Sequence, residues 1–184
     1  MDRGTAWNLL QRYTQKEGLL QHAKAVEAAM RAYAHRFGED EDAWAAVGLL
    51  HDFDYEIHPT MEEHPAKGAD ILAEHGVPAE WIRAILAHGE HTGVPRDTRM
   101  AKALFAVDEL SGFLVACALV RPGRTLEGLA PKSVKKKLKD RRFAAAVNRD
   151  DIHRGAEELG MELTEHIEFV TGALRGVEET LGLG

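Results

Sequence analysis

Three features of the chain predict an all-α fold. Apolar residues recur at intervals of three and four almost throughout, no segment alternates apolar and polar residues as a half-buried strand would, and short Gly- and Pro-containing breaks separate the periodic stretches. None of the breaks is long enough to be an interdomain linker. We therefore expect residues 1–184 to form a single-domain helical bundle.

Each predicted helix carries an apolar stripe with helical spacing. The stripes cover residues 19–37, 44–50, 81–88, 101–120 and 163–181. Gly38 follows the first stripe directly and is expected to be its C-cap. The stretch 101–120 is the most apolar, which predicts the central core helix, and Asp108 and Glu109 within it argue against a membrane span.

Composition narrows the classes of function. The 184 residues are 45% hydrophobic and 29% charged, as in an ordinary globular protein. The formal charge of −7 argues against a general nucleic-acid-binding surface. Cys117 is the only cysteine, so no internal disulfide can form, and residues 1–13 lack the apolar run of a signal peptide. We expect a cytoplasmic protein without a membrane partner, and its oligomeric state is left open.

The chain contains an ordered set of six side chains that can bind metal. They are His22, His51, Asp52, His64, His88 and Asp108. A neutral imidazole next to a carboxylate, as at His51-Asp52, can bind a divalent cation. The order H…HD…H…H…D, with the strings LLHDFDYEIH, EEHPAKGADIL and ILAHGEHTGVP, resembles the HD-domain superfamily of metal-dependent phosphohydrolases.

The resemblance covers residues 18–120, and residues 121–184 are expected to be a helical extension packed on that core. The resemblance implies four ligands of a first metal, namely His22, His51, Asp52 and Asp108. It implies a second metal bound by His64 and His88, with Asp52 bridging the two. The chain has HDFD where the family often has HDIG, and His88-Gly89 where some binuclear members have two adjacent histidines. The string PKSVKKKLKDRRFAAAVNR resembles a small group of uncharacterised bacterial HD hydrolases.

Helical spacing turns three of these side chains inward. His22 shares a face with Leu19 and Val26, and His51 follows Trp44 by seven residues. Asp108 lies in the most apolar stretch, where burying an unpaired carboxylate is costly and a cation would remove the cost. Taken singly, each residue could instead be a hydrogen-bonded core residue. The ordered set favours a metal site.

Other polar residues near the predicted ligands have two open interpretations. His91 lies in the loop after His88 and could donate a proton or a hydrogen bond to phosphate, or could be a solvated loop residue. Asp54 and Glu56 could order water around the ligands, although exposure to solvent is the interpretation we favour for them. Asp52 and His91 are the expected catalytic residues.

A basic tract extends from Lys132 to Arg142, with seven Lys or Arg residues and one acid. It could be a solvated helix face, or it could bind phosphate at the mouth of the metal site. Lys132, Lys136 and Arg149 are the candidate phosphate contacts. No aromatic residue is interleaved for base stacking, which argues against binding of a long nucleic acid through this tract.

The function predicted from these residues is metal-assisted hydrolysis of a phosphate ester or anhydride by metal-bound hydroxide. The mixed His and carboxylate ligands suit one or two ions of Fe, Mn, Co, Ni or Zn. The expected substrate is a small phosphorylated metabolite, with nucleotides as the leading class. Two alternatives remain open: a di-iron oxygenase of the HD fold, and a non-catalytic nucleotide-binding sensor.

Overall fold

The computed structural model describes every residue from Met1 to Gly184 and contains nine α-helices and no strand, so the predicted all-α class is confirmed. The helices are α1 (Arg3–Tyr13), α2 (Glu17–Phe37), α3 (Glu41–Leu50), α4 (Ala66–Glu74), α5 (Ala79–His88), α6 (Arg99–Leu119), α7 (Pro131–Leu138), α8 (Arg149–Glu158) and α9 (Leu163–Arg175). Three short 3-10 turns lie at Glu90–Thr92, Pro122–Arg124 and Glu178–Leu181.

The two longest helices, α2 and α6, form the centre of the bundle. Each has 21 residues, and they pack against one another. Helix α3 covers α2, while α5, α8 and α9 surround α6. The most apolar stretch of the sequence is the central helix α6, as predicted, with Leu104, Phe113 and Leu114 fully buried. No helix combines the length and the apolar character that a membrane crossing requires.

Helix α8 approaches the central helix at a glycine. A Cβ atom on Gly155 would lie 2.5 Å from the Cα atom of Ala106, so a larger residue would force the two helices apart. Ala106 is two residues before Asp108. The close approach therefore brings α8 beside the part of α6 that carries one of the predicted metal ligands.

A buried histidine connects α9 to both central helices. Tyr33 Oη donates a hydrogen bond of 2.6 Å to Nδ1 of His166, and Nε2 of His166 donates to the carbonyl oxygen of Ala106 at 2.9 Å. Burial disfavours the charged imidazolium and lowers the pKa of His166 to about 4. The neutral ring thus joins the helices that carry His22 and Asp108.

The helix ends agree with the sequence at α2 and differ at α9. Gly38 is left-handed with φ 68° and caps α2, as expected. The last apolar stripe predicted a helix to residue 181, but α9 ends at Arg175 and Val177 has φ −132°. The reason is a long-range contact: the Glu178 carboxylate accepts hydrogen bonds from the Leu126 amide and from Thr125 Oγ1, which redirects the chain.

Candidate metal centre

Four predicted ligands meet where α2, α6 and the end of α3 converge. Nε2 of His22 lies 3.0 Å from Asp108 Oδ1 and 3.2 Å from Nε2 of His51. Asp52 Oδ2 lies 3.4 Å from Nε2 of His51. The ligand atoms of these four residues all lie within 4.8 Å of one another, so they could hold one metal ion. We call them the first donor group.

A second donor group consists of Asp52, His64 and His88. Asp52 Oδ1 lies 3.1 Å from Nε2 of His64 and 3.4 Å from Nε2 of His88. His88 is the last residue of α5, as expected, whereas His64 lies in the turn segment 51–65, two residues before α4 begins. Asp52 therefore directs one carboxylate oxygen towards each donor group.

Backbone hydrogen bonds fix which nitrogen of two rings faces the donor groups. Nδ1 of His51 donates to the carbonyl oxygen of Gly48 at 2.8 Å, and Nδ1 of His88 donates to that of Ile85 at 2.5 Å. When the rings are neutral, their Nε2 lone pairs then point at the carboxylate oxygens of the cluster. Lone pairs facing carboxylates repel unless a cation lies between them, so these residues fit a divalent metal ion.

Asp54 fixes the ring of His64 in the same way. Its side chain is buried, and Oδ1 accepts a hydrogen bond of 2.8 Å from Nδ1 of His64. Gly68 of α4 provides the space, since a Cβ there would lie 2.5 Å from Asp54 Cγ. The interpretation of Asp54 as a solvent-exposed residue is therefore wrong. The packing of α4 over the turn, which buries this carboxylate, has no signal in the local sequence.

The electrostatics of the metal-free cluster also favour a cation. Burial alone would lower the pKa of His51, but Asp52 and Asp108 raise it well above 6.5. Burial likewise opposes the charge on His64, yet Asp52 and Asp54 raise the pKa of this ring to about 9. Burial would raise the pKa values of Asp52 and Asp108, but the neighbouring histidines hold both below 3.8. Both carboxylates are therefore ionised at neutral pH.

A cavity of about 540 Å³ lies over the two donor groups. Tyr55 and Met61 belong to its lining, and these two residues are 43% and 67% exposed. The Tyr55 ring meets the His64 ring edge-on, with centroids 5.3 Å apart. The sequence did not single out Tyr55 or Met61, because nothing in their spacing distinguishes them from other apolar residues.

The lining of the cavity also contains polar residues, some of them from outside the predicted core. It includes Glu90, Glu109, Asn148 and Asp151. Asn148 is the N-cap of α8, and its side-chain oxygen accepts from the Asp150 amide. The C-terminal extension thus supplies part of the cavity wall.

His91, the second predicted catalytic residue, also lines this cavity. Its Nε2 donates a hydrogen bond of 2.7 Å to the carbonyl oxygen of His64. The ring therefore supports the turn that carries His64, and Nδ1 is the atom that remains for a substrate. The catalytic role of His91 stays a prediction.

The three predicted phosphate contacts do not line the cavity. Lys132 and Lys136 lie on α7 and line a separate groove. Arg149 donates instead to the carbonyl oxygens of Phe143, Ala144 and Val147. Its guanidinium is therefore engaged in holding the loop before α8, where Ala144 has φ 44°, and is not free for phosphate at the donor groups.

Comparison with known proteins agrees with this geometry. A family model described as the HD domain matches residues 19–112. The chain belongs to the HD-domain superfamily of metal-dependent phosphohydrolases.

Curated relatives of the chain are named Ribonuclease Y. The protein from Oleidesulfovibrio alaskensis is 33% identical over 125 residues and the one from Syntrophobacter fumaroxidans is 34% identical over 125 residues; each alignment covers 67% of this chain and 22% of the relative. The protein from Lawsonia intracellularis is 33% identical over 116 residues, which cover 62% of this chain and 20% of the relative. The chain thus spans about a fifth of the length of these relatives. No solved structure matches the chain.

Proposed function

We propose that this protein is a binuclear metal-dependent phosphohydrolase that cleaves a phosphate ester of a nucleotide, with the phosphodiester bond of an oligoribonucleotide as the leading substrate. The observation that carries the proposal is the position of Asp52, whose two oxygens are divided between two groups of imidazole and carboxylate donors. A carboxylate in that position is suited to bridge two ions.

The proposed ligands of the first ion are His22, His51, Asp52 and Asp108. Asp52, His64 and His88 are the proposed ligands of the second. Divalent ions of Fe, Mn, Co, Ni or Zn bound there would supply a water of lowered pKa and a Lewis acid for the phosphoryl oxygens.

The protein's own residues orient this site. Asp54 holds the His64 ring with Nε2 towards Asp52, and the His64 carbonyl group is in turn held by His91. Because Nε2 of His91 is occupied, a protonated His91 can donate only from Nδ1. We assign to it the hydrogen bond or proton that the leaving oxygen needs.

Two features support a nucleotide over a simple phosphate ester. A cavity of about 540 Å³ falls within the range of small-molecule sites. Tyr55 and Met61 offer a half-exposed aromatic and apolar surface on which a base can stack. The relatives named Ribonuclease Y support an RNA phosphodiester bond as the substrate, although the chain matches only a fifth of their length.

The test is hydrolysis by Mn-loaded protein of a ribodinucleotide and of its analogue that lacks the bases. Tyr55→Ala should raise KM for the dinucleotide by about 5- to 150-fold, as expected for loss of a stacking contact of roughly 1–3 kcal/mol, and Tyr55→Phe should retain wild-type KM. KM for the analogue without bases should not change. The proposal fails if metal-loaded protein hydrolyses no nucleotide phosphoester.

A further inference from the structure

The basic tract lines a groove of its own, separate from the cavity over the donor groups. The groove has a volume of about 610 Å³. Its wall consists of Lys132, Ser133, Lys135, Lys136, Lys139 and Thr164. The four lysines follow helical spacing on and just after α7, so their side chains share one face. No carboxylate contributes to this wall.

The lysines of the groove lack acidic partners, unlike many cations elsewhere on the surface. Lys67, for example, pairs with Glu63, whereas none of the four groove lysines forms an ion pair. Lys135 Nζ instead donates to Thr164 Oγ1 at 3.1 Å.

Neither of the acids on the neighbouring part of α9 neutralises the groove. Glu165 is paired with Arg36, and Glu168 lines a different pocket beside residues 128–131. Like charges three and four residues apart on a helix repel one another. An anion with several charges would relieve this repulsion.

The length of the basic face of α7 indicates which kind of anion it can bind. From Lys132 to Lys139 the helix rises about 10 Å, at roughly 1.5 Å per residue. A nucleic-acid strand presents a phosphate about every 3.4 Å along its helix axis, so two or three successive phosphates can face the lysines at once. The groove wall contains no aromatic side chain, which excludes base stacking but leaves contact with the sugar-phosphate backbone. The expectation from sequence that this tract binds no long nucleic acid rested on stacking and does not extend to contact with the backbone.

We propose that this groove binds the sugar-phosphate backbone of a nucleic-acid strand, a proposal that rests on the nucleotide phosphohydrolase function above. Lys139 in the groove and Ala146 in the cavity wall are seven residues apart, so their Cα atoms are at most about 25 Å apart. Even at this upper limit, the distance corresponds to roughly seven nucleotides. The connecting loop is held to the core by Phe143, whose ring packs edge-on against Phe113 with centroids 5.5 Å apart. A strand of a dozen or more nucleotides is therefore long enough to reach from the groove to the cavity.

The test compares two double variants that each remove two positive charges from the tract. Lys132→Ala with Lys136→Ala alters the groove, while Arg141→Ala with Arg142→Ala is the control, since both arginines are exposed and neither lines the groove. Binding of a fluorescent 16-nucleotide oligouridylate is measured by anisotropy in EDTA, so that no hydrolysis occurs. The groove variant should bind at least ten-fold more weakly, and the slope of log affinity against log salt should fall by about 1.4, or roughly 0.7 per lost phosphate contact. The control should change less than three-fold.

Three results would overturn the proposal: no binding of the oligonucleotide by the wild-type chain, equal losses in the two double variants, or equally effective competition by polyglutamate. The assay contains no divalent metal, so its outcome is separate from that of the proposed function. If the groove variant loses affinity as expected while metal-loaded protein hydrolyses no nucleotide, the groove stands and the proposed function fails.

Discussion

The two donor groups share Asp52 but are built from different parts of the fold. Apart from Asp52, the first group comes from the central helices α2 and α6 and from His51 at the end of α3, where the His51 side chain is fully buried. The second uses the turn segment 51–65 and the last residue of α5. The first group is thus held by the core, whereas the second depends on local supports, chiefly Asp54 and His91.

Because the two groups are supported differently, the two ions should not be equivalent. Moving a side chain of the first group requires displacing packed helices, which a close-packed core resists. Moving His64 requires only that a turn shift once its hydrogen bonds are lost. We therefore expect the second ion to be lost more readily than the first.

The largest effect is expected for Asp52→Ala, because Asp52 belongs to both groups. Both metal ions should be lost, and hydrolysis should fall by at least about 10³-fold, as expected for removal of Lewis-acid stabilisation worth several kcal/mol. Metal content and turnover measured on the same preparation check this. Asp70→Ala, at an exposed carboxylate of α4, is the control and should change neither. A full metal complement in the Asp52→Ala protein would contradict the assignment.

Removing a ligand of the second group alone should separate the two ions. His64→Ala should leave one tightly bound metal per chain and reduce hydrolysis by about 100-fold, within the range for loss of one catalytic contribution. Metal analysis after gel filtration gives the stoichiometry. A His64→Ala protein that keeps both ions, or one that loses both, would show that the groups are not distinct in this way.

A smaller effect is expected from substitutions that disturb the hydrogen bond between Asp54 and His64. Asp54→Asn should weaken the second metal by about 10- to 100-fold while sparing the first, as is typical when a hydrogen-bond partner of a metal ligand is altered. Gly68→Ala should act in the same direction, since its Cβ would collide with Asp54.

Gly18→Ala is the matched control for that substitution, because a Cβ at Gly18 has no neighbour within 4 Å. Metal titrations of the three variants would measure both affinities. Equal affinity of wild type and Asp54→Asn for the second metal would show that Asp54 does not support the binding of that metal.

The smallest effect concerns the scaffold of the first group. The pKa of His166 is about 4 in the folded protein, against 6.5 for an unperturbed histidine, so the unfolded chain binds more protons between these values. The stability contributed by neutral His166 is fully present above pH 6.5 and is lost as pH falls towards 4. At pH 5.5 the loss should be about 1 kcal/mol.

Urea unfolding of EDTA-treated protein at pH 7.5 and 5.5 measures this change. The raised pKa of His64 acts in the opposite direction, since its stabilisation increases as pH falls. The wild type is therefore compared with His166→Gln, which should lack the His166 contribution. An identical pH dependence of the unfolding free energy in the two proteins would contradict this role of His166.

The sequence predicted those parts of the molecule that follow helical periodicity. Helix α6 and the inward placement of His22 and Asp108 could be inferred because apolar stripes determine which face of a helix is buried. The end of α9 could not, because Glu178 is captured by a loop some 50 residues away in the chain.

The same limit applies within the site. The burial of Asp54 has no local signal in the sequence because it depends on Gly68 of another helix. Arg149 is a candidate phosphate contact by its position in the sequence, although its guanidinium donates hydrogen bonds to loop carbonyl groups. The order of residues along the chain indicates which side chains can serve as metal ligands. It does not reveal which polar groups the packing of helices has already engaged.

An anomalous-scattering map from crystals of metal-loaded protein would show directly whether the two donor groups each bind an ion. We expect two peaks on either side of the Asp52 carboxylate, one beside His22, His51 and Asp108 and the other beside His64 and His88. A single peak, with His64 and His88 turned away from any ion, would contradict it.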